Sequence, residues 1–369
     1  MKRTTRLLAG VLSALALTVG LTATTAGTAA ATSTDENPRL YNINNPYDPG
    51  PVPIANPGLF IDFTGDLTPH PTVANTLKYM GFYCTLGAVG TDAAGRKIGI
   101  TAGHCNEQRW VPDPDNPGQL KAPGAFLDAT TRSPCDPPAS ATCIHYPDYP
   151  KYSGAQPGVP ITNNNHPVFD MNAVAWAKKN NLPVNPIGWI RWVDPKGDAE
   201  DLTATTDYMV IEFAPEVQLS SQVRNKDGNP VNSAAGGLFK VNSIYSDASG
   251  APAIPPLSNL FPWGASTWIE NYGARSDRTP ILQSAAVNPG AIGIIDRGLL
   301  RTLAGNQAGD SGGPVVMRGT GKWVGITAAS VKGINFPFIT TSAKNILDDL
   351  NGTKVPAGTA GKGFTVTNN

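Results

Sequence analysis

Neither sign of charge is in excess in these 369 residues: Lys and Arg together number 28, Asp and Glu together 28, and charged residues make up only 15% of the chain. Such a balance generates no overall field to concentrate nucleic acid or an acidic surface, so partner choice has to come from local sites. HExxH, Cys-x-x-Cys and basic clusters with interleaved aromatics are all missing, which removes the common zinc signatures and the usual nucleic-acid footprint. Beyond the first 31 residues no apolar run is long enough to span a bilayer. No segment repeats at a fixed period. Cysteine and histidine are each down to four, so chemistry that uses them has few candidates.

The N-terminus carries Lys2, Arg3 and Arg6, then the apolar run Leu7 to Leu21 and small residues from Ala23 to Ala31. Residues 1–31 read as a signal peptide, with cleavage expected near Ala29 to Ala31 and an exported product that has no membrane association afterwards. Export places the four cysteines in an oxidising compartment, where two disulfides are the economical expectation. Three pairings are possible; Cys135 and Cys143, eight apart, can close a small loop, which leaves Cys84 and Cys105.

Glycine (39) and proline (34) favour short strands joined by turns, so the fold class is expected to be all-β. Residues 32–75, with NPYDPGPVPIANPG at their centre, show no periodicity and read as an N-terminal extension or propeptide. From Tyr83 the texture changes to CTLGAVG, the turn DAAGRK and IGITAG, a hairpin. Residues 106–165 read as a long irregular insertion. NAVAWAKKNN (172–181) has the composition of a short helix, and WIRWV and YMVIEF of strands. After a polar break at 215–236 come LFKVNSIY, STWIENYG, TPILQSAAV, AIGIID, LLRTL, PVVMRG and KWVGITAAS. The helix TSAKNILDDL (341–350) and a flexible tail, 351–369, close the chain.

The sharpest chemical signal is GDSGGP, Gly309 to Pro314. Hydrolysis of an unactivated amide needs a nucleophile, a base to deprotonate it, and donors aimed at the oxygen that becomes negative. Ser311 offers the hydroxyl, and the N–H groups of Gly309 and Ser311 can point into one concavity. TAGHC, Thr101 to Cys105, follows a strand and presents His104, a side chain whose neutral-range pKa and two distinct nitrogens suit it to act as that base. The other histidines, His70, His145 and His166, sit in Pro- or Asn-rich loops.

TAGHC and GDSGGP, in that order, resemble the chymotrypsin-like serine peptidases, and secreted actinomycete members most closely in motif. The resemblance implies two antiparallel six-stranded β-barrels, here 76–220 and 221–350, with a Ser-His-Asp triad in the cleft between them. It implies a Cys84–Cys105 disulfide and an acid between His104 and Ser311 at the start of an apolar strand. Asp207 in DYMVIEF and Asp170 in VFDMNAVAW are the candidates; Asp207 is preferred because Asp170 runs into helix-like sequence. The gap from His104 to Asp207 is longer than the family usually shows, and the insertion accounts for it. Bacterial relatives pair the acid before the serine, here Asp310, with an arginine near the start of the second barrel, which NYGARSDRT supplies as Arg275 or else Arg278.

The resemblance also implies a primary pocket lined by residues just before Ser311 and on GITAAS: Gly305, Asn306, Ala328, Ala329 and Ser330. These residues carry no acid for an Arg or Lys side chain, and Thr327 stands where a histidine would favour Glu, so apolar or small side chains are the expected preference. PDPDNPG offers oxygens of the kind calcium takes, but such runs ordinarily form solvated turns; no metal or cofactor is assigned. The expected activity is that of a secreted, monomeric serine endopeptidase acting on protein or peptide substrates. The alternative is a secreted binding or adhesion protein that keeps the scaffold without the activity.

Overall fold

The computed structural model describes residues 40–42, 47–63, 67–69, 76–79, 83–106, 111–112, 120–121, 125–128, 143–146, 155–195, 205–256, 268–278, 286–307, 309–330 and 338–369. The signal-peptide reading, Cys135 and the side chain of Cys143 lie outside them, so the second expected disulfide does too.

Short apolar runs punctuated by glycine and proline form two antiparallel sheets. The first uses β1 (Phe60–Asp62), β2 (Tyr83–Thr85), β3 (Ala88–Thr91), β4 (Lys97–Thr101), β5 (Pro167–Asp170), β6 (Gly188–Val193) and β7 (Met209–Phe213). Across the sheet they run β3-β4-β7-β6-β5-β1-β2, and the C-terminal strand Thr365–Val366 adds to β3. β2 and β3 lie at opposite ends of that order yet are joined by only Leu86 and Gly87. The Leu86 N–H donates to the Leu59 carbonyl and the Gly87 N–H to the Ile100 carbonyl, each at 2.8 Å, so this bent segment draws the two edges of the curled sheet together.

The second sheet is a closed six-membered ring. β8 (Trp268–Tyr272) pairs with β9 (Val287–Asp296), β9 with β10 (Leu299–Thr302), β10 with β13 (Phe338–Ser342), β13 with β12 (Lys322–Ser330), β12 with β11 (Pro314–Met317), and β11 returns to β8. This is the trypsin-like double-barrel architecture expected from the sequence. Ile98, Ile100, Trp192, Tyr208 and Val210 from the first unit form one core with Trp323, Ile326 and Leu347 of the second. A Cβ on Gly87 would stand 2.3 Å from the Ile326 side chain and 2.4 Å from the Gly312 carbonyl, so only glycine permits this approach of the barrels.

Three α-helices complete the described structure. α1 (Met171–Asn180) starts where Asp170 accepts the Asn172 N–H, and Lys178 and Lys179 sit favourably in its last turn. α2 (Ala274–Arg278) is a single turn after β8. α3 (Ala343–Asn351) is capped by Ser342, and its late acid Asp349 is met by Lys354.

Three readings need correction. The extension 32–75 is not separable as a whole: Ile54–Ala55 pairs with Gln218–Leu219, β1 is a strand of the first sheet, and Ala55, Leu59, Phe60, Ile61 and Phe63 are buried. The tail is not loose: Val355, Ala360 and Phe364 are buried, and Phe364 packs edge-on to Trp323 with ring centres 6.0 Å apart. Within the expected insertion 106–165, Asn106 exchanges paired 2.7 Å hydrogen bonds with Ala155. LFKVNSIY gives only the strand Ser243–Ile244, because 221–253 turn back repeatedly through isolated bridges.

Candidate active site

His104 occupies the one-turn helix Gly103–Cys105 at the end of β4, and the Cys84–Cys105 disulfide ties that turn to β2. Asp207 lies two residues before β7, the strand paired with β4, so the sheet register sets acid and histidine side by side. The His104 N–H donates to Asp207 Oδ1 at 2.8 Å, and Nδ1 meets Oδ2 at 2.6 Å. A carboxylate only accepts, so Nδ1 carries the proton and Nε2 is the acceptor. Nε2 stands 2.8 Å from Ser311 Oγ, in reach of the hydroxyl proton. The Asp207 side chain is wholly shielded while that of His104 is 34% exposed, so an incoming molecule can meet the imidazole but not the acid behind it.

The segment around Asp207 is braced from the C-terminal side. The Asp194 N–H donates to the Tyr208 carbonyl at 3.0 Å and Asn345 Nδ2 to the Thr205 carbonyl at 2.9 Å. Lys354, from beyond α3, pairs with Asp194 at 2.8 Å. Asp170, the other candidate acid, is buried at the start of α1 and accepts the Asn172 N–H at 2.8 Å. Burial raises its pKa to about 6, against the pull of the Asn172 and Ala173 N–H groups and the Arg278 charge. Its place is that of a helix cap.

Ser311 sits in a turn laced into both barrels. The Gly312 N–H donates to the Thr327 carbonyl and the Thr327 N–H to the Gly313 carbonyl, while the Thr85 N–H donates to the Ser311 carbonyl at 2.8 Å. Gly309 has φ +95°, and a Cβ there would stand 2.5 Å from the Tyr83 ring, so the turn requires glycine twice over. Among the described residues, neither the Gly309 nor the Ser311 N–H donates to a protein acceptor.

Asp310 is buried, which pushes its pKa up. It accepts the Ser276 and Gln307 N–H groups at 2.9 Å each, and the Ser276 hydroxyl as well. Arg275 lies buried nearby; burial lowers its pKa, and Tyr83 and Asp310 oppose that. Ser276 was not foreseen as the principal side-chain partner of Asp310. Arg278 turns away, donating to the Ala274 carbonyl and to Asn172 and stacking 4.5 Å over Phe60.

The expected pocket residues divide. Gly305 and Asn306 are half-buried, and the Gly305 carbonyl is held by Asn271 Nδ2 at 3.2 Å. Ala329 is half-buried; the Ser330 side chain lies outside the described residues. Ala328 is not a lining residue: it is fully buried and packs with Leu299 and Ile339, because a bulge between Thr327 and Ala329 alters the side-chain alternation. Thr85, Ser276, Gln307 and Asn271 were all missed, and no local motif marks them.

The one grouping of metal-ligating side chains found among the described residues is Cys84, His104 and Cys105, and both sulfurs are committed to the disulfide. No helix among those residues is long and apolar enough to cross a membrane.

No protein-family model and no curated protein matches the chain. Among solved structures it is similar to a Cellulomonas bogoriensis chymotrypsin, at 15% identity and a TM-score of 0.36, over 78% of this chain and 91% of that one. Thermobifida fusca protease A matches at 14% identity and a TM-score of 0.39, over 85% and 100%. A Nocardiopsis protease matches at 15% and 0.36, over 80% and 96%. Values this low carry no functional weight, and the reading that follows stands on the geometry of the chain itself.

Proposed function

We propose that this chain is a secreted serine endopeptidase working through an acyl-enzyme, with Ser311, His104 and Asp207 as its triad. The observation that carries the reading is the continuous line Asp207 Oδ2, His104 Nδ1, His104 Nε2, Ser311 Oγ, with links of 2.6 and 2.8 Å. Ser311 Oγ attacks the scissile carbonyl carbon as His104 Nε2 takes its proton. Asp207 keeps the Nδ1 proton in place and offsets the imidazolium charge. The N–H groups of Gly309 and Ser311, which donate to no protein acceptor among the described residues, receive the oxygen as it becomes negative. His104 then returns the proton to the leaving amine, and water repeats the sequence on the acyl-enzyme.

The N-terminal apolar run and the Cys84–Cys105 disulfide support export to an oxidising compartment. Gly305, Asn306 and Ala329 offer no charge to a substrate side chain, which supports peptide substrates cleaved after small or apolar residues. A fluorogenic peptide panel tests both parts: turnover after uncharged residues that falls at least about a thousandfold in His104→Ala is expected. Dominant cleavage after Arg sinks the pocket reading; equal turnover by His104→Ala sinks the mechanism.

A further inference from the structure

Thr85 spends every polar atom it has at the junction between the two halves of the site. It is fully buried on β2, beside Cys84, whose disulfide holds the His104 turn. Its N–H donates to the Ser311 carbonyl at 2.8 Å, and its carbonyl accepts the Thr101 hydroxyl at 2.9 Å. Its own hydroxyl donates to the Gly309 carbonyl at 2.8 Å and accepts the Ala274 N–H at 3.2 Å. The first two bonds use backbone that any residue would supply. The last two need a hydroxyl, which gives one proton and takes another; valine has nearly the same shape and offers neither.

That hydroxyl acts on the peptide joining Gly309 to Asp310. Gly309, at φ +95°, has no Cβ to restrict it, so its orientation has to be fixed from outside. That peptide lies between the two that carry the Gly309 and Ser311 N–H groups, joined to them through the Gly309 and Asp310 Cα atoms, and among the described residues neither N–H donates to a protein acceptor. The Ala274 end of the same hydroxyl reaches α2, whose Ser276 holds Asp310 between those two donors.

We propose that Thr85 is a positioning residue for the oxyanion donors: its hydroxyl fixes the Gly309–Asp310 peptide, which sits between the two peptides that carry the donors, and thereby sets transition-state stabilisation without touching substrate. The inference rests on the protease reading above. An interaction realised only in the transition state shows in kcat and leaves KM in place.

The test is steady-state kinetics on a fluorogenic peptide for wild type, Thr85→Val, Thr85→Ala and Thr85→Ser. Each rate is divided by the fraction of molecules that a fluorophosphonate labels at end point, so unfolded material does not count. Thr85→Ala adds no bulk and carries the test if Thr85→Val fails to fold. The expected result is kcat about 10- to 100-fold lower in the Val and Ala variants with KM within about twofold, and near-wild-type kcat in Thr85→Ser. Binding of a peptide aldehyde weakens by the same factor while binding of a product peptide does not. Unchanged kcat in the Val and Ala variants, a loss carried by KM, or no rescue by serine overturns the proposal alone. A wild type that neither labels nor turns over overturns the protease reading and this inference with it.

Discussion

The two barrels are assembled in different ways. The second is a closed ring drawn from one stretch of chain, residues 268–342, and it carries Ser311 and the N–H donors. The first gathers strands from 60–62, 83–101, 167–213 and 365–366, and it carries His104 and Asp207. His104 and Asp207 are therefore held by contacts between remote parts of the chain, and Ser311 by mostly local ones. Loop closure makes remote pairings costly to form, so the first barrel is where truncation and point changes ought to tell most.

The largest effect expected from that asymmetry is truncation. A chain starting near residue 47 keeps Ile54–Ala55 and β1 and should fold; one starting at 70–80 loses a sheet strand and the buried Leu59, Phe60, Ile61 and Phe63. Near-UV circular dichroism and thermal melting of the two proteins decide it: a cooperative melt in the first only is expected, and a native-like melt in the second would mean the first barrel does not need its N-terminal strand. N-terminal sequencing of secreted material should accordingly find no start beyond β1.

Next comes the tail. Phe364→Ala removes a ring that packs on Trp323 of the second barrel and should cost about 3–5 kcal/mol in denaturant unfolding. A loss under about 1 kcal/mol would show that the tail is not part of the core.

The smallest effect is the pH dependence of Asp170. Burial sets its folded pKa at about 6, above the ordinary 3.8. Because the folded value is raised, the stability this group contributes is complete below the unfolded pKa and is lost as pH rises through the folded one. Asp170→Asn keeps an acceptor for the Asn172 N–H and does not ionise. Its stability relative to wild type should rise between pH 4 and 6 by up to about 3 kcal/mol and then level off. A difference that is flat over that range, measured by urea unfolding, would remove the burial account.

The same asymmetry governs how much could be read from sequence. TAGHC and GDSGGP are local, and each stands where its neighbouring strand puts it. Asp207 was separable from Asp170 because one precedes the apolar run MVIEF and the other a helix, which Asp170 caps. β1 was not legible, since LFIDF is a five-residue run inside Pro- and Asn-rich sequence and becomes a strand only because β2 and β5 flank it. The tail strand owes its form to the exposed edge of β3. Ala328 was misplaced because a bulge alters an alternation that sequence presents as regular. Thr85 and Ser276 act through partners far along the chain, Gly309 for one and Asp310 for the other, and such pairings leave no local trace.

The most direct measurement is covalent labelling of the purified protein with a fluorophosphonate, with the adduct located by mass spectrometry in wild type and Ser311→Ala. The account predicts one adduct, on Ser311, that the substitution abolishes. A folded wild type that stays unlabelled, or labels equally well without Ser311, would contradict it and leave a protease scaffold serving as a binding protein.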